Sequence, residues 1–181
     1  MRVITGKYRG RALKSPKHEG LRPTADRVKE AMFNILGAKI QGAAFLDLFA
    51  GTGSIAIEAI SRGAASAILA DKSYLSIKLI RQNIKILDAH EKVRVLHLSY
   101  GRAIDLLAKE RIQFDLVFLD PPFEAGILNQ AIQRILEGNL LKEEGIIIAE
   151  HPRKFYLKVP ELQGETRNYG DICLTFLVKR C

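Results

Sequence analysis

Hydrophobic residues from position 43 onward form short apolar runs that alternate with amphipathic stretches. Short apolar runs are typical of buried strands, whereas apolar residues that recur every three to four positions are typical of helices packed on one face. This alternation predicts a parallel sheet that is covered by helices on both faces. The predicted strands are Ala44–Phe49, Ala67–Ala70, Val93–His97, Phe114–Leu119 and Gly145–Glu150, and the predicted helices are Ser54–Arg62, Ser73–Leu87, Arg102–Lys109 and Gly126–Leu136.

The end of the chain departs from the alternation. Two further apolar stretches, Phe155–Lys158 and Ile172–Lys179, have no helical pattern between them. They predict an antiparallel pair of strands at the edge of the sheet. The whole pattern therefore predicts an open, doubly wound α/β fold with a seven-stranded, mostly parallel sheet and an antiparallel C-terminal strand. Ligands of such sheets bind where the parallel strands end.

The beginning of the chain has a different organisation. Arg2–Thr5 and Arg9–Leu13 predict a short hairpin, and a basic loop leads from it to a helix predicted over Thr24–Leu36. We interpret residues 1–40 as a basic N-terminal extension made of hairpin, loop and helix, and residues 41–181 as the main domain.

Positive charge is concentrated in this extension. Residues 1–40 contain ten Lys and Arg residues against three acidic residues, although the whole chain has 28 basic and 20 acidic residues. An enzyme of small metabolites needs no such concentration, whereas a protein that neutralises phosphates does. A solvated basic tail is the alternative interpretation. The candidate RNA-contacting residues are Lys7, Arg9, Arg11 and Arg22, together with Tyr8, which can stack on a base or pack on the protein.

The composition excludes several other classes of protein. The two cysteines, Cys173 and Cys181, form no CxxC pair, and the chain has no HExxH motif, so we expect no metal site. No apolar run approaches the roughly 20 residues that cross a bilayer. We therefore expect a cytoplasmic protein without a membrane partner, and a monomer, since no exposed apolar stripe stands out.

A glycine-rich turn follows the first predicted strand. Gly51 and Gly53 allow a sharp turn and a close approach to a ligand, because neither residue has a Cβ atom. A dinucleotide fingerprint would have a third glycine where Ala56 stands, and the lysine of a P-loop is absent. Asp47 would repel a phosphate but suits an ammonium group, and Asp71, at the end of the second strand, can accept both hydroxyls of a ribose. The combination favours S-adenosylmethionine, with a nicotinamide cofactor as the alternative.

The fourth predicted strand runs directly into Asp120-Pro121-Pro122-Phe123. The two prolines stop the strand and stiffen the turn. The Asp120 carboxylate and the Pro121 carbonyl can accept both hydrogens of an exocyclic base amine and so localise its lone pair. Phe123 can stack on a flipped base. The sequence therefore predicts a site for base-amine methylation, although Asp-Pro-Pro by itself is also an ordinary turn.

The same residues carry a resemblance to a known family. Asp120–Phe123 matches the [Asn/Asp/Ser]-Pro-Pro-[Tyr/Phe/Trp] motif of amino-methyltransferases, and Asp47–Gly53 matches their S-adenosylmethionine loop. Over nearly its whole length the chain resembles the RsmD-type 16S rRNA guanine-N2 methyltransferases. The segments that carry this narrower resemblance are Met1–Arg11, Arg22–Thr24, Arg27–Asn34 and Asn168–Asp171.

The resemblance implies a Rossmann-like class I methyltransferase fold and methyl transfer to N2 of one guanine in 16S rRNA. It implies an assembled or assembling 30S subunit as the partner, with S-adenosylhomocysteine as the second product. It also adds Phe49 and Thr52 to the cofactor loop and suggests Ser99 as the contact of the adenine amine. The chain departs from the family where Asp71 replaces the commoner Glu and where Ser99 replaces the usual Asp or Asn.

Two other functions remain open at this stage. One is a DNA or RNA methyltransferase of adenine N6 or cytosine N4, although 181 residues leave little room for the target-recognition region that such DNA enzymes carry. The other is a non-catalytic RNA-binding module that kept the fold. Glu58, on the helix after the glycine turn, is predicted to be a surface charge.

Overall fold

The computed structural model of the protein describes residues 1–16, 23–122 and 126–180, the side chains of residues 23–25 excepted. Their helices and strands alternate as the apolar pattern predicts. The helices are α1 (Pro23–Leu36), α2 (Ser54–Ser61), α3 (Tyr74–Leu87), α4 (Tyr100–Lys109) and α5 (Ile127–Glu137). The strands are β1 (Ala44–Asp47), β2 (Ser66–Ala70), β3 (Val93–Leu96), β4 (Phe114–Leu119), β5 (Leu141–Pro152), β6 (Leu162–Tyr169) and β7 (Ile172–Lys179).

All seven strands form one sheet in the order β3-β2-β1-β4-β5-β7-β6. Strands β1 to β5 are mutually parallel, and β7 runs antiparallel to both β5 and β6. The predicted mostly parallel sheet with an antiparallel C-terminal strand is confirmed. Strand order reverses at β1, and the crevice outside β1 and β4 is therefore the place where this fold binds ligands. We call the edge where β1 to β5 end the carboxyl edge.

Two apolar cores cover the two faces of the sheet. One core lies beneath α1, α2 and α3, and the other lies beneath α4 and α5. Alternate residues of β4 point to opposite cores, so Phe118 belongs to the first and Leu119 to the second. Side chains from the N-terminal residues, among them Val3, Leu13 and Met32, are buried in the first core. The described part of residues 1–40 thus shares a core with the main sheet, and the treatment of this region as a separate functional extension stays a prediction.

The prediction of a strand at Phe155–Lys158 is wrong. Those residues have no regular structure, and Phe155 and Leu157 pack on the second core instead. The partner of β7 is β6, whose residues after Leu162 are almost all exposed. An edge strand with solvent on both faces needs no apolar alternation, and the polar sequence of β6 therefore gave no strand signal.

The predicted N-terminal hairpin is present in reduced form. A single antiparallel bridge joins Arg2 to Ala12, and further backbone hydrogen bonds join Val3 to Gly10 and Arg11. Gly6, at φ +88°, lies so close to α2 that a Cβ atom would stand 1.9 Å from the Ser61 carbonyl oxygen.

In the described part of the chain, no helix has the length and apolar character needed to cross a membrane.

Candidate functional site

The glycine turn lies at the carboxyl edge, between β1 and α2. Gly51 and Gly53 both have positive φ angles, +53° and +77°, which L-residues with a Cβ rarely adopt. A Cβ on Gly53 would press on Leu69 and Ile80, whereas one on Gly51 would enter open space. Gly53 therefore secures the packing of the turn on the sheet, and Gly51 leaves room above the turn for a ligand.

Asp71 holds the glycine turn from the neighbouring strand. One of its carboxylate oxygens accepts a hydrogen bond from the Gly51 amide at 2.8 Å, and the other accepts one from the Ser73 amide at 2.8 Å. A carboxylate has about four acceptor positions, so two remain for hydroxyl groups. Ser99 follows β3 and precedes α4 at the same edge, where its side chain is half-buried.

Asp47 lies beneath the turn rather than on its surface. Its carboxyl is 1% exposed and accepts one hydrogen bond, from the Phe49 amide at 3.2 Å. Burial raises the pKa of Asp47 to about 8, and repulsion from Asp120 and Asp71 adds to the effect of burial. A nearby positive charge would therefore stabilise the ionised form of this buried carboxyl.

Phe49 is half-buried, and the centre of its ring lies 5.3 Å from that of Tyr100.

Thr52, at the top of the turn, connects the site to the N-terminal residues. Its hydroxyl donates to the Met1 sulfur at 3.4 Å. Its carbonyl accepts a hydrogen bond from the Asn83 side chain, which also bonds the amide and the carbonyl of Lys14. The two ends of the N-terminal hairpin therefore lie against the glycine turn. No sequence pattern had pointed to Asn83, because one buried amide on an amphipathic helix gives no distinctive signal.

A cavity of about 960 Å³ opens beside this turn, on the β4–β5–β7 side. Asp120 and Pro121 line it directly after β4, and Ser54 and Ile55 line it at the start of α2. Desolvation raises the pKa of Asp120 to about 6. The sequence-predicted reaction turn and the predicted cofactor turn are thus brought to one place. Phe123 lies outside the described residues.

Glu150 is a residue of this cavity that the sequence analysis missed. It stands near the end of β5 and lines the cavity beside Asp120. The available signal was a charged residue directly after the apolar run Ile146–Ala149, in a strand that is otherwise buried at that end. Tyr169, Gly170 and Asp171, from the turn between β6 and β7, complete the far wall.

The predicted RNA-contacting residues lie on the hairpin rather than in the cavity. Lys7, Arg9 and Arg11 are exposed, whereas Tyr8 is half-buried against the first core with the Lys7 ammonium 5.2 Å from its ring centre. The hairpin tip contacts Ser61 at the far end of α2, about 10 Å along the helix from the glycine turn. Arg22 lies outside the described residues.

The prediction that Glu58 is a surface charge is wrong. Its side chain is fully buried, and its two oxygens accept hydrogen bonds from the Ile4 and Thr5 amides at 2.8 and 2.9 Å. Arg62 donates to it at 2.9 Å, and the Lys29 ammonium lies 3.9 Å away. Glu58 therefore fastens the N-terminal hairpin to α2.

Among the residues that the structure describes, no cluster of three or more His, Cys, Asp or Glu side chains is arranged to hold a metal ion. The acidic side chains of the carboxyl edge come from different strands and face either the glycine turn or the cavity. The site therefore presents carboxylates, backbone amides and apolar walls to a ligand.

Comparison with known proteins agrees with this arrangement. The family model described as "Conserved hypothetical protein 95" matches residues 1–178. The chain belongs to this family. Its members include the ribosomal RNA small subunit methyltransferases D, and the RsmD family inferred from the sequence motifs is confirmed. The relative from Haemophilus influenzae with that name is 38% identical over 164 residues, which cover 89% of this chain and 83% of the relative.

Solved structures show the same fold as this RsmD family member. The Escherichia coli protein yhhF superposes with a TM-score of 0.87 at 33% identity, over 99% of this chain and 98% of that protein. The 16S rRNA methyltransferase RsmC of Thermus thermophilus was solved in complex with AdoMet and guanosine. It superposes with a TM-score of 0.68 at 21% identity, over 91% of this chain and 45% of RsmC, and it shares the fold alone. The predicted Rossmann-like methyltransferase fold is confirmed.

Proposed function

We propose that this RsmD family member transfers a methyl group from S-adenosylmethionine to the exocyclic N2 amine of one guanine in 16S rRNA. Its substrate is the assembled or assembling small ribosomal subunit. One observation carries the proposal: the Asp120-Pro121 turn borders a cavity that opens next to the glycine turn. A base in the cavity and a cofactor on the turn would therefore meet at Asp120.

The residues around the turn fit S-adenosylmethionine. Gly51 leaves open space for the ligand, Asp71 has acceptor positions left for the ribose hydroxyls, and the buried Asp47 favours a cation nearby. When bound, the cofactor supplies a methyl group on a positively charged sulfur. The remaining proposed contacts are Phe49, Thr52, Gly53 and Ser99, the last with the adenine amine.

Asp120 and Pro121 prepare the amine for reaction. An exocyclic amine is a weak nucleophile because its lone pair is delocalised into the ring. The Asp120 carboxylate and the Pro121 carbonyl accept its two hydrogens, which fixes the orientation of the lone pair. As the new N–C bond forms, the bond between the sulfur and the methyl group breaks and S-adenosylhomocysteine is left. The nitrogen must then release one proton, and Asp120 is its proposed acceptor. Phe123 is the proposed stacking partner of the flipped base.

The exposed cations of the hairpin are the proposed contacts of the rRNA phosphates. Lys7, Arg9 and Arg11 are exposed and form no ion pair with any described residue. Because Glu58 fixes the hairpin to α2, these cations form a rigid basic surface rather than a flexible tail. Arg22 completes the proposed set of cations. Tyr8, which is half-buried against the first core, is the proposed stacking partner of an RNA base. The proposed enzyme acts as a cytoplasmic monomer.

The deciding experiment supplies labelled S-adenosylmethionine and small subunits from cells that lack the activity. Mapping the labelled nucleotide should give a single guanine methylated at N2. Label at an adenine or cytosine would favour the other class of amino-methyltransferase. Absence of label from the RNA, under conditions in which the protein binds S-adenosylmethionine, would refute the proposal.

A further inference from the structure

Strand register places Glu150 directly beside Asp120. In the parallel ladder between β4 and β5, Leu119 pairs with Ala149, and Asp120 and Glu150 are the next positions along the two strands. Phe118 and Ile148, which stand two positions before Asp120 and Glu150 respectively, point into the first core. Because side chains two residues apart share a face, the two carboxyls also share a face, on neighbouring strands whose backbones lie about 4.8 Å apart.

The Glu150 carboxyl faces the cavity without a protein partner. No described residue donates a hydrogen bond to it or lies within ion-pair distance of it, and its side chain is half-buried. The surrounding wall is largely apolar and includes Phe118, Pro152 and Ile172. A half-buried carboxyl in such surroundings is costly unless a ligand supplies the missing donor.

The raised pKa values of Asp120 and Glu150 agree with the position of the two carboxyls in the cavity wall. Burial raises the pKa of Glu150 to about 8, and repulsion from Asp120 adds to the rise. The cavity also contains Asp26, Lys29 and Asp171, but none of them pairs with Glu150 among the described contacts. Two neighbouring N–H donors on a ligand would stabilise the charged form of both carboxyls.

A base that offers two adjacent donors is guanine. Its N2 amine and its N1–H stand side by side on the Watson–Crick edge, whereas adenine and cytosine have an unprotonated ring nitrogen next to their amine. We propose that Glu150 is the residue that selects guanine, by accepting a hydrogen bond from N1–H while Asp120 and the Pro121 carbonyl hold the N2 amine. This inference rests on the proposed function and assigns its base specificity to one side chain.

Selection would then come mainly from rejection of the other bases. At a pH above its pKa of about 8, Glu150 is a carboxylate, and a ring nitrogen lone pair placed against it leaves a half-buried charge unpaired and repels it. A site that is built to bind an N–H group discriminates strongly against analogues that lack this group. Glu150 thus acts as a specificity-determining residue, while Asp120 contacts the reacting amine.

The test compares guanine with 2-aminopurine at the mapped target of reconstituted small subunits, at a pH above 8 where free Glu150 is ionised. 2-Aminopurine keeps the N2 amine but has no N1–H. We expect the wild-type kcat/KM to favour guanine by about 10- to 100-fold. With Glu150→Gln, whose amide can donate to the free ring nitrogen, the preference should fall by at least about tenfold. The change in the ratio, rather than in the rate, reports on N1 recognition.

Two variants control the comparison. Glu144→Gln changes an exposed glutamate of the same strand and should leave the preference unchanged. Glu150→Asp keeps the carboxylate and should retain a preference for guanine at a lower rate. An unaltered ratio in a folded Glu150→Gln protein would overturn the inference. If that variant does not fold, equal wild-type kcat/KM on the two bases overturns it. Failure of the proposed function looks different, because the wild-type protein would then not methylate guanine at all.

Discussion

Glu58 allows a quantitative test of how the basic hairpin is held. Its carboxylate accepts hydrogen bonds from Ile4, Thr5 and Arg62 and lies 3.9 Å from the Lys29 ammonium. Lys29 is 4% exposed, and burial lowers its pKa. Glu58→Ala would remove the acceptor of two backbone amides and of Arg62, and would take one of its two carboxylate neighbours from the buried Lys29 ammonium. We expect a loss of about 3–5 kcal/mol in the free energy of unfolding, the usual cost of breaking a buried ion pair.

Glu58→Gln should have a smaller effect. The amide keeps one acceptor oxygen for a hairpin amide but loses the charge that faces Lys29 and Arg62, which predicts a loss of about 1–3 kcal/mol. Adding Lys29→Met should recover part of this loss, because the buried ammonium is then gone. Urea unfolding followed by circular dichroism measures all three values.

The matched control is Glu144→Gln, which replaces an exposed glutamate and should stay within about 0.5 kcal/mol of the wild type. Limited proteolysis provides a local readout, since cleavage within residues 1–13 should accelerate in the Glu58 variants. If Glu58→Ala were as stable as the control, the hairpin would not depend on this carboxylate and our account of its rigidity would be refuted.

Three further predictions concern the reaction turn, the basic hairpin and the buried carboxyl of Asp47. Asp120→Ala should lower kcat/KM for methyl transfer by about 10²–10⁴-fold while calorimetry finds S-adenosylmethionine affinity nearly unchanged; lost affinity would mean that Asp120 belongs to the cofactor site. Replacing Lys7, Arg9 and Arg11 with Gln should reduce by about 2 the slope of log K against log salt for subunit binding, and an unchanged slope would contradict the basic surface. The pKa of Asp47 is raised from 3.8 to about 8, so between these pH values the folded protein keeps a proton that the unfolded chain has released. The free energy of unfolding therefore falls as the pH rises from about 4 toward 8. Asp47→Asn should therefore raise the Tm of the cofactor-free protein more at pH 8 than at pH 5; equal shifts would argue against the buried carboxyl.

The carboxyl edge was predictable because its chemistry follows strand ends. Each of Asp47, Asp71 and Asp120 stands at or directly after the last residue of a buried strand. Apolar runs locate such strands well, and parallel strands bring their ends to one edge. The sequence therefore indicated both turns of the site and their proximity, but not the depth at which Asp47 lies.

The missed features have physical reasons. Strand β6 is held by backbone hydrogen bonds to β7 while its side chains face solvent, so its polar sequence does not mark it as a strand. Glu58 was misjudged because a charge on a helix is usually exposed. The remaining residues of α2 gave a signal in retrospect: an almost wholly apolar helix with one carboxylate implies that donors approach it from another segment. Those donors are the amides of Ile4 and Thr5, some 50 positions earlier in the chain.

The antiparallel direction of β7 affects how the protein can be handled. Ile172 lines the cavity, and the strand then runs away from it to Lys179, which lies about 23 Å farther along the sheet. Met1, in contrast, forms part of the cavity wall and touches Thr52. A linker, dye or solid support joined after residue 180 would leave the cavity and the hairpin accessible to the proposed ribosomal substrate. The same attachment at Met1 would push bulk into the space that the base is proposed to enter.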